Sequence, residues 1–152
     1  MEEKKWSYRL KGKVMNILLT SVGRRTYMID YFKNAIGKSG KVFAANSEYT
    51  YSMSHADEYI VTPLIYDESY IDFIMKYCEK NSITAVISLF DIDLLVLSKN
   101  INKFSSNGIK VVVSDEKIIT LCNDKWETFC FLRNHGINVP STYINITEAK
   151  KA

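Results

Sequence analysis

Cysteine is scarce in this chain: Cys78, Cys122 and Cys130 are the three among 152 residues. An odd count without a C-x-x-C pair argues against a disulfide framework and against a zinc site. Each cysteine falls where an amphipathic helix would bury it, so all three read as small buried hydrophobes in a reducing cytosol. Long apolar runs are also missing. Residues 1–13 read Met-Glu-Glu-Lys-Lys-Trp-Ser-Tyr-Arg-Leu-Lys-Gly-Lys, which has no signal-peptide core. No stretch approaches membrane-spanning length, so the expected location is cytoplasmic with no membrane partner. Charge of one sign is sparse too. The net charge is +3, partly from Lys4-Lys5 and Lys150-Lys151. No basic stripe is interleaved with aromatics, and the ten tyrosines are scattered, which argues against nucleic acid as a partner. His55 and His135 lie near no serine or cysteine in a nucleophile context and read as structural. His135 sits before Gly136 at a helix C-terminus, where an imidazole suits the helix dipole.

What is present is a globular composition, 47% hydrophobic and 24% charged, at a length suited to one compact domain. Residues 14–20 form an apolar run closed by the turn signal Ser21-Val22-Gly23, which predicts a buried strand. Met28, Tyr31, Phe32 and Ala35 recur at helical spacing, and Gly37 and Gly40 close that segment. Short strands follow at 41–45 and 59–61, the latter stopped by Pro63. Asp67 or Ser69 caps a helix whose apolar face is Ile71, Ile74, Met75 and Cys78. A β-branched run at 84–89 feeds Asp91-Ile92-Asp93 and a helix carrying Leu94, Leu97, Ile101 and Phe104 on one face. Asn107-Gly108 turns into 109–113, the most strand-like stretch of all, expected to be as buried as 14–20. Ser114 or Asp115 caps a short helix, and a last one spans 124–134 with Trp126, Phe129 and Cys130 inward.

Strands alternating with helices predict an α/β fold, a Rossmann-like doubly wound parallel sheet of about five strands. The expected organisation is an N-terminal arm at 1–13, an α/β domain at 14–122, and a linker helix with the truncated start of a further region at 123–152.

In such sheets ligands sit beyond the C-terminal ends of the strands. Three loops there carry chemistry. Thr20-Ser21-Val22-Gly23-Arg24-Arg25 places a small hydroxyl-rich turn and two arginines at a helix N-terminus. That suits an anion, and the alternative is a tight turn followed by solvated arginines. A dinucleotide site would need G-x-G-x-x-G, and this loop has one glycine. Asn46 also stands where the acidic ribose ligand would be expected, with Glu48 two positions on. Ser88-Leu89-Phe90-Asp91-Ile92-Asp93 brings two carboxylates to a strand end. They orient a substrate amine or hydroxyl, or Asp93 caps the next helix while Asp91 shapes the turn. The third loop offers Asn46 and Ser47 to a polar ligand, against the reading of a plain polar turn. No metal ligand set is identified, because this acidic loop alone supplies too few oxygens.

Taken together, Met15-Asn16-Ile17-Leu18-Leu19-Thr20-Ser21-Val22-Gly23-Arg24-Arg25, Ser88-Leu89-Phe90-Asp91-Ile92-Asp93 and Cys122-Asn123-Asp124-Lys125 resemble the pre-ATP-grasp domain of ligases similar to the carbamoyl-phosphate synthase large subunit. His55-Ala56-Asp57 with Pro63, and the Gly136-Ile137-Asn138-Val139-Pro140 turn, fit the same order. The resemblance implies an ATP-dependent carboxylate–amine or carboxylate–ammonia ligase acting through an acyl phosphate. It implies substrate or anion binding by Ser21, Gly23, Arg24, Arg25, Asn46, Asp91 and Asp93, and a place for Lys125 at the edge of the nucleotide cleft. ATP and Mg would serve the completed enzyme and are not expected to bind this chain tightly. The lobes that hold them are expected in cis or from a partner chain, so the chain reads as an expressed fragment or a split-gene product without activity alone. The expected partners are a small-molecule substrate and those lobes, with a homodimer left open. The competing class is a non-catalytic ligand-binding or subunit-pairing module.

Overall fold

The computed structural model describes residues 14–152; the 1–13 arm lies outside the described residues. Among the described residues five strands run in chain order: β1 Asn16–Thr20, β2 Val42–Asn46, β3 Glu58–Val61, β4 Ile83–Ser88 and β5 Lys110–Val111. They form one parallel sheet in the order β3-β2-β1-β4-β5. The helices are α1 Thr26–Ile36, α2 Tyr70–Lys80, α3 Asp91–Lys99, α4 Ile101–Ser105, α5 Glu116–Asn123, α6 Lys125–Asn134 and α7 Ile146–Ala149, with 3₁₀ turns at Gly37–Ser39 and Tyr51–His55.

The core follows the period-two alternation of the central strands, whose successive side chains face opposite sides of the sheet. On one side Leu18, Phe43, Ala45 and Val86 meet Tyr70, Ile71, Ile74, Met75 and Cys78 of α2, together with Leu97 and Phe104. On the other, Ile17, Leu19, Val42 and Ala44 meet Ile29 and Ile36 of α1 and Met53 of the second 3₁₀ turn. Burying an aliphatic side chain of this size contributes roughly 1.5–3 kcal/mol. Helices therefore cover both faces. The chain winds one way from β1 through β2 to β3, then crosses to β4 and β5. The strand order reverses between β1 and β4, and an open α/β sheet places its ligand crevice at that point.

Glycine is required where β1 begins. A Cβ on Gly40 would stand 2.0 Å from the carbonyl oxygen of Met15. The backbones touch there because the Met15 N–H donates to the Ser39 carbonyl at 2.8 Å.

Three expectations need correction. The 109–113 run makes only a two-residue strand, and it lies at the sheet edge with β4 on one side. Ile109 and Val111 are buried, Lys110 is exposed and Val112 is 47% exposed, so the edge buries alternate residues where a central strand would bury all. At the other end, Val14 precedes β1 and is exposed. Cys122 is exposed and Cys130 half-buried, while Cys78 alone is buried. The reason is that α5 and α6 pack mainly on their neighbours and contribute no fully buried residue.

Candidate functional site at the strand-order switch

The C-terminal ends of β1 and β4 converge on one carboxylate. Asp93 is wholly buried. Its Oδ2 accepts from Thr20 Oγ1 at 2.5 Å, Ser88 Oγ at 2.8 Å and Ser21 Oγ at 3.1 Å. Its Oδ1 accepts from the Tyr70 hydroxyl at 2.8 Å. Four hydroxyls from β1, the turn after it, β4 and α2 thus engage both carboxylate oxygens, three on Oδ2 and one on Oδ1. Burial and the adjacent Asp93 charge push the Tyr70 phenol well above its ordinary range, so it stays a hydrogen-bond donor.

The acidic pair divides. Both residues lie in the first turn of α3, whose N-cap is Phe90, and neither side chain caps the helix. Residues two apart on a helix point about 200° apart. Asp93 accordingly faces the sheet. Asp91 is exposed and lines a hollow of about 110 Å³ with Leu94, Ile119, Cys122 and Asn123.

The turn after β1 is tightly held. Ser21 has φ 52°, a left-handed conformation unusual for a residue with a side chain, and Gly23 has φ 54°. Several of its backbone N–H groups are already used. Val22 donates to the Ala45 carbonyl at 3.4 Å, Gly23 to Asn46 Oδ1 at 3.4 Å, and Arg25 to the Val22 carbonyl at 3.1 Å. The buried Ser52 hydroxyl donates to the Gly23 carbonyl at 2.6 Å. Asn46 thereby ties the ends of β1 and β2 together, and its Nδ2 reaches the Glu48 carbonyl at 3.1 Å. What remains for an anion is the start of α1 and the arginines; the Met28 N–H of that first turn is itself already given to the Arg25 carbonyl at 3.2 Å. Arg24 is exposed and Arg25 half-buried, and the first turn of α1 holds no acidic residue to neutralise its positive end.

Lys125 stands apart, exposed at the start of α6, where Asp124 caps the helix by accepting from the Trp126 and Glu127 amides at 2.8 and 2.9 Å. The histidines are tied locally. His55 Nδ1 lies 3.1 Å from Asp30 Oδ1, and His135 Nδ1 2.8 Å from the Phe131 carbonyl oxygen. Among the described residues no three His, Cys, Asp or Glu side chains gather into a metal-holding group. No described helix is long and apolar enough to cross a membrane.

Sequence reasoning missed Tyr70. Its signal was present: it stands one turn ahead of Ile74 on the buried side of α2, and a buried phenol needs a hydrogen-bond partner.

This is a doubly wound, Rossmann-like domain whose hydroxyl-bearing β1 and β4 loops meet where the strand order reverses. More specifically, the chain belongs to the PylC-like N-terminal domain family, whose model matches residues 17–112. Solved structures share the fold. The multifunctional pyruvate carboxylase of Rhizobium etli superposes with a TM-score of 0.59 at 14% identity, covering 86% of this chain and 13% of that one. The biotin carboxylase domain of a single-chain bacterial carboxylase gives 0.59 at 17%, covering 90% and 33%. The biotin carboxylase domain of Hydrogenobacter thermophilus 2-oxoglutarate carboxylase, crystallised with ADP, magnesium and bicarbonate, gives 0.59 at 15%, covering 92% and 32%. The chain thus spans about a third or less of each of these three structures. No curated protein matches it.

Proposed function

We propose that this chain supplies the substrate side of an ATP-dependent carboxylate–amine or carboxylate–ammonia ligase that works through an acyl phosphate. The observation that carries the reading is the convergence of the 20–25 and 88–93 segments on one crevice, with Arg24 and Arg25 at an uncompensated helix N-terminus. Arginine pairs hold carboxylate or phosphate oxygens in bidentate fashion, and fixed positive charge favours the negative charge that develops during acyl transfer. Within that class the motifs at 15–25 and 88–93 lean toward ligases similar to the carbamoyl-phosphate synthase large subunit.

The residues present do not fit ATP–Mg by themselves. Asp93 is wholly buried and bonded to four hydroxyls, Asp91 faces the α5 hollow, and Lys125 stands on a separate helix. No step is therefore assigned to the nucleotide. The lobes that would hold it belong in cis or on a partner chain. This chain's own part is to bind and orient: Arg24 and Arg25 take the negative charge, while Ser21, Gly23 and Asn46 fix the shape of the turn beside it.

Two measurements on the full chain test the reading. Calorimetric titration with ATP–Mg should show no tight binding, and phosphate release should stay at the buffer rate. Inorganic phosphate should shift the amide resonances of residues 22–27, and Arg24→Ala with Arg25→Ala should abolish that shift. Turnover of ATP by the chain alone would replace this reading with a self-sufficient nucleotide enzyme. Phosphate that leaves the loop untouched would favour a non-catalytic module.

A further inference from the structure

We propose that Asp93 is a positioning residue that fixes the hydroxyl protons of the crevice inward, so that Ser21 and Ser88 face the ligand as hydrogen-bond acceptors. The proposal rests on the crevice being a substrate site, but its first test does not.

A hydroxyl has one proton and two acceptor lone pairs. Asp93 can only accept from the hydroxyls around it, so every hydroxyl bonded to it commits its proton. Thr20 and Tyr70 are buried at 0% and 2% exposure and make the closed floor of the arrangement. Ser21 and Ser88 are half-buried and form the rim, where solvent or a ligand can reach their remaining lone pairs. Ser88 has a second acceptor in range, the Phe90 carbonyl at 3.2 Å, but the carboxylate is nearer at 2.8 Å and charge-assisted. Its oxygen also accepts from the Phe90 N–H at 3.1 Å, which holds the β4–α3 turn to the same point. Ser21 is held in a left-handed conformation that is unfavourable for a residue with a side chain. Its bond to Asp93 is one contact that keeps it there.

The crevice is therefore polarised. Between β1 and β4 it offers hydroxyl oxygens that take a donor, an ammonium or hydroxyl group. Three and four residues beyond Ser21 in the chain, Arg24 and Arg25 supply the cations for an acceptor. A ligand bearing both kinds of group would be oriented by that difference alone.

The test uses the full chain, its Asp93→Asn variant and an Asp91→Asn control. Proton NMR should show the Thr20 and Tyr70 hydroxyl protons as slowly exchanging resonances. Asp93→Asn introduces a donor and should remove them. The same variant should move the amide signals around Ser21 and Ser88 together, while Asp91→Asn moves neither set. Ammonium chloride should then shift the Ser21 and Ser88 amides at least about twofold more than sodium chloride at equal ionic strength, a margin well above the screening both salts share. That excess should vanish in Asp93→Asn, while inorganic phosphate acts on residues 22–27 in both proteins. Should Asp93→Asn fail to fold, Tyr70→Phe and Ser88→Ala each remove one donor and should still shift the opposite loop. Hydroxyl protons exchanging as fast as that of an exposed serine would overturn the proposal, as would loop signals that follow Asp91→Asn equally. Sodium matching ammonium would overturn the acceptor assignment while leaving the ligase reading intact.

Discussion

The sheet body and the C-terminal arm are built on opposite plans. In the body, α1, α2 and α3 have N-caps Arg25, Ser69 and Phe90, and none makes a side-chain capping bond. Their first turns are held by what they bury; α2 alone contributes Tyr70, Ile71, Ile74, Met75 and Cys78 to the core. In the arm the reverse holds. Asp115, Asp124 and Asn145 each accept from a backbone N–H at the start of α5, α6 and α7, yet none of the three helices contains a fully buried residue. Ile118, Phe131, Ile137, Ile144 and Ile146 remain exposed. A hollow of about 350 Å³ between α6 and the 137–143 segment is lined by Phe129, Arg133, Val139 and Tyr143 among others. Local capping is enough to define a helix, and it does not give that helix a core. The arm should therefore open at much lower free energy than the body, as segments with little buried apolar contact do.

The largest expected effect that sharpens this contrast is chemical. Burial in α2 pushes the Cys78 thiol up to about 12, and the side chain is inaccessible, whereas Cys122 is exposed. A thiol reagent should modify Cys122 quickly and Cys78 only as the chain unfolds. Mass spectrometry on the time course would break the contrast if Cys78 were labelled first.

Packing comes next. Phe104→Ala empties a fully buried site and should cost about 3–5 kcal/mol in denaturant unfolding. Phe131→Ala removes a half-exposed ring from α6 and should cost well under about 1 kcal/mol. Equal losses would mean that the arm shares the body's core.

Capping should act locally. Asp124→Ala removes acceptors for two amides and should weaken α6 by about 1 kcal/mol, read as faster hydrogen exchange in residues 125–134 with the midpoint of the body unchanged. Faster exchange in β1 or β4 would show that α6 supports the sheet.

The smallest effect is electrostatic and belongs to the body. Burial raises the Asp57 carboxyl, but the Val42 amide at 2.8 Å and Lys33 at 3.0 Å outweigh it and leave it below the usual carboxylate range. Its stabilisation is complete above the unfolded value near about pH 4 and is lost as pH falls through the lowered folded value. Asp57→Asn should thus be less stable than the parent at neutral pH and converge with it under acid. A stability gap that widens on acidification would contradict this assignment.

The legible parts of the fold were those written in local pattern. The apolar run ending at Thr20, the face Ile71–Ile74–Met75–Cys78, and the turn signals at Ser21-Val22-Gly23 and Asn107-Gly108 specify strands and helices without reference to the rest of the chain. Strand position was not legible. The run at 109–113 is as β-branched as a central strand, yet it sits at the edge, because pairing partners are chosen by topology. In the candidate site, the sequence located the two loops and their residue types. It left Asp91-Ile92-Asp93 open between a substrate-orienting pair and a helix cap with a turn former, since adjacency in sequence hides the helical turn that separates the two carboxylates.

By itself, then, the sequence determined the α/β alternation, the choice of Ser114 or Asp115 as the cap of α5 and the presence of arginines after β1, all of them properties of neighbouring residues. The tertiary structure alone decided that Thr20, Ser21, Tyr70 and Ser88 share one carboxylate, and that Cys122 and Val112 face solvent. The physical reason is that hydrogen-bond partners 23 to 73 residues apart, Tyr70 and Thr20 on Asp93, meet only after β1 and β4 have paired. Burial likewise depends on what stands opposite a side chain, which no local pattern records.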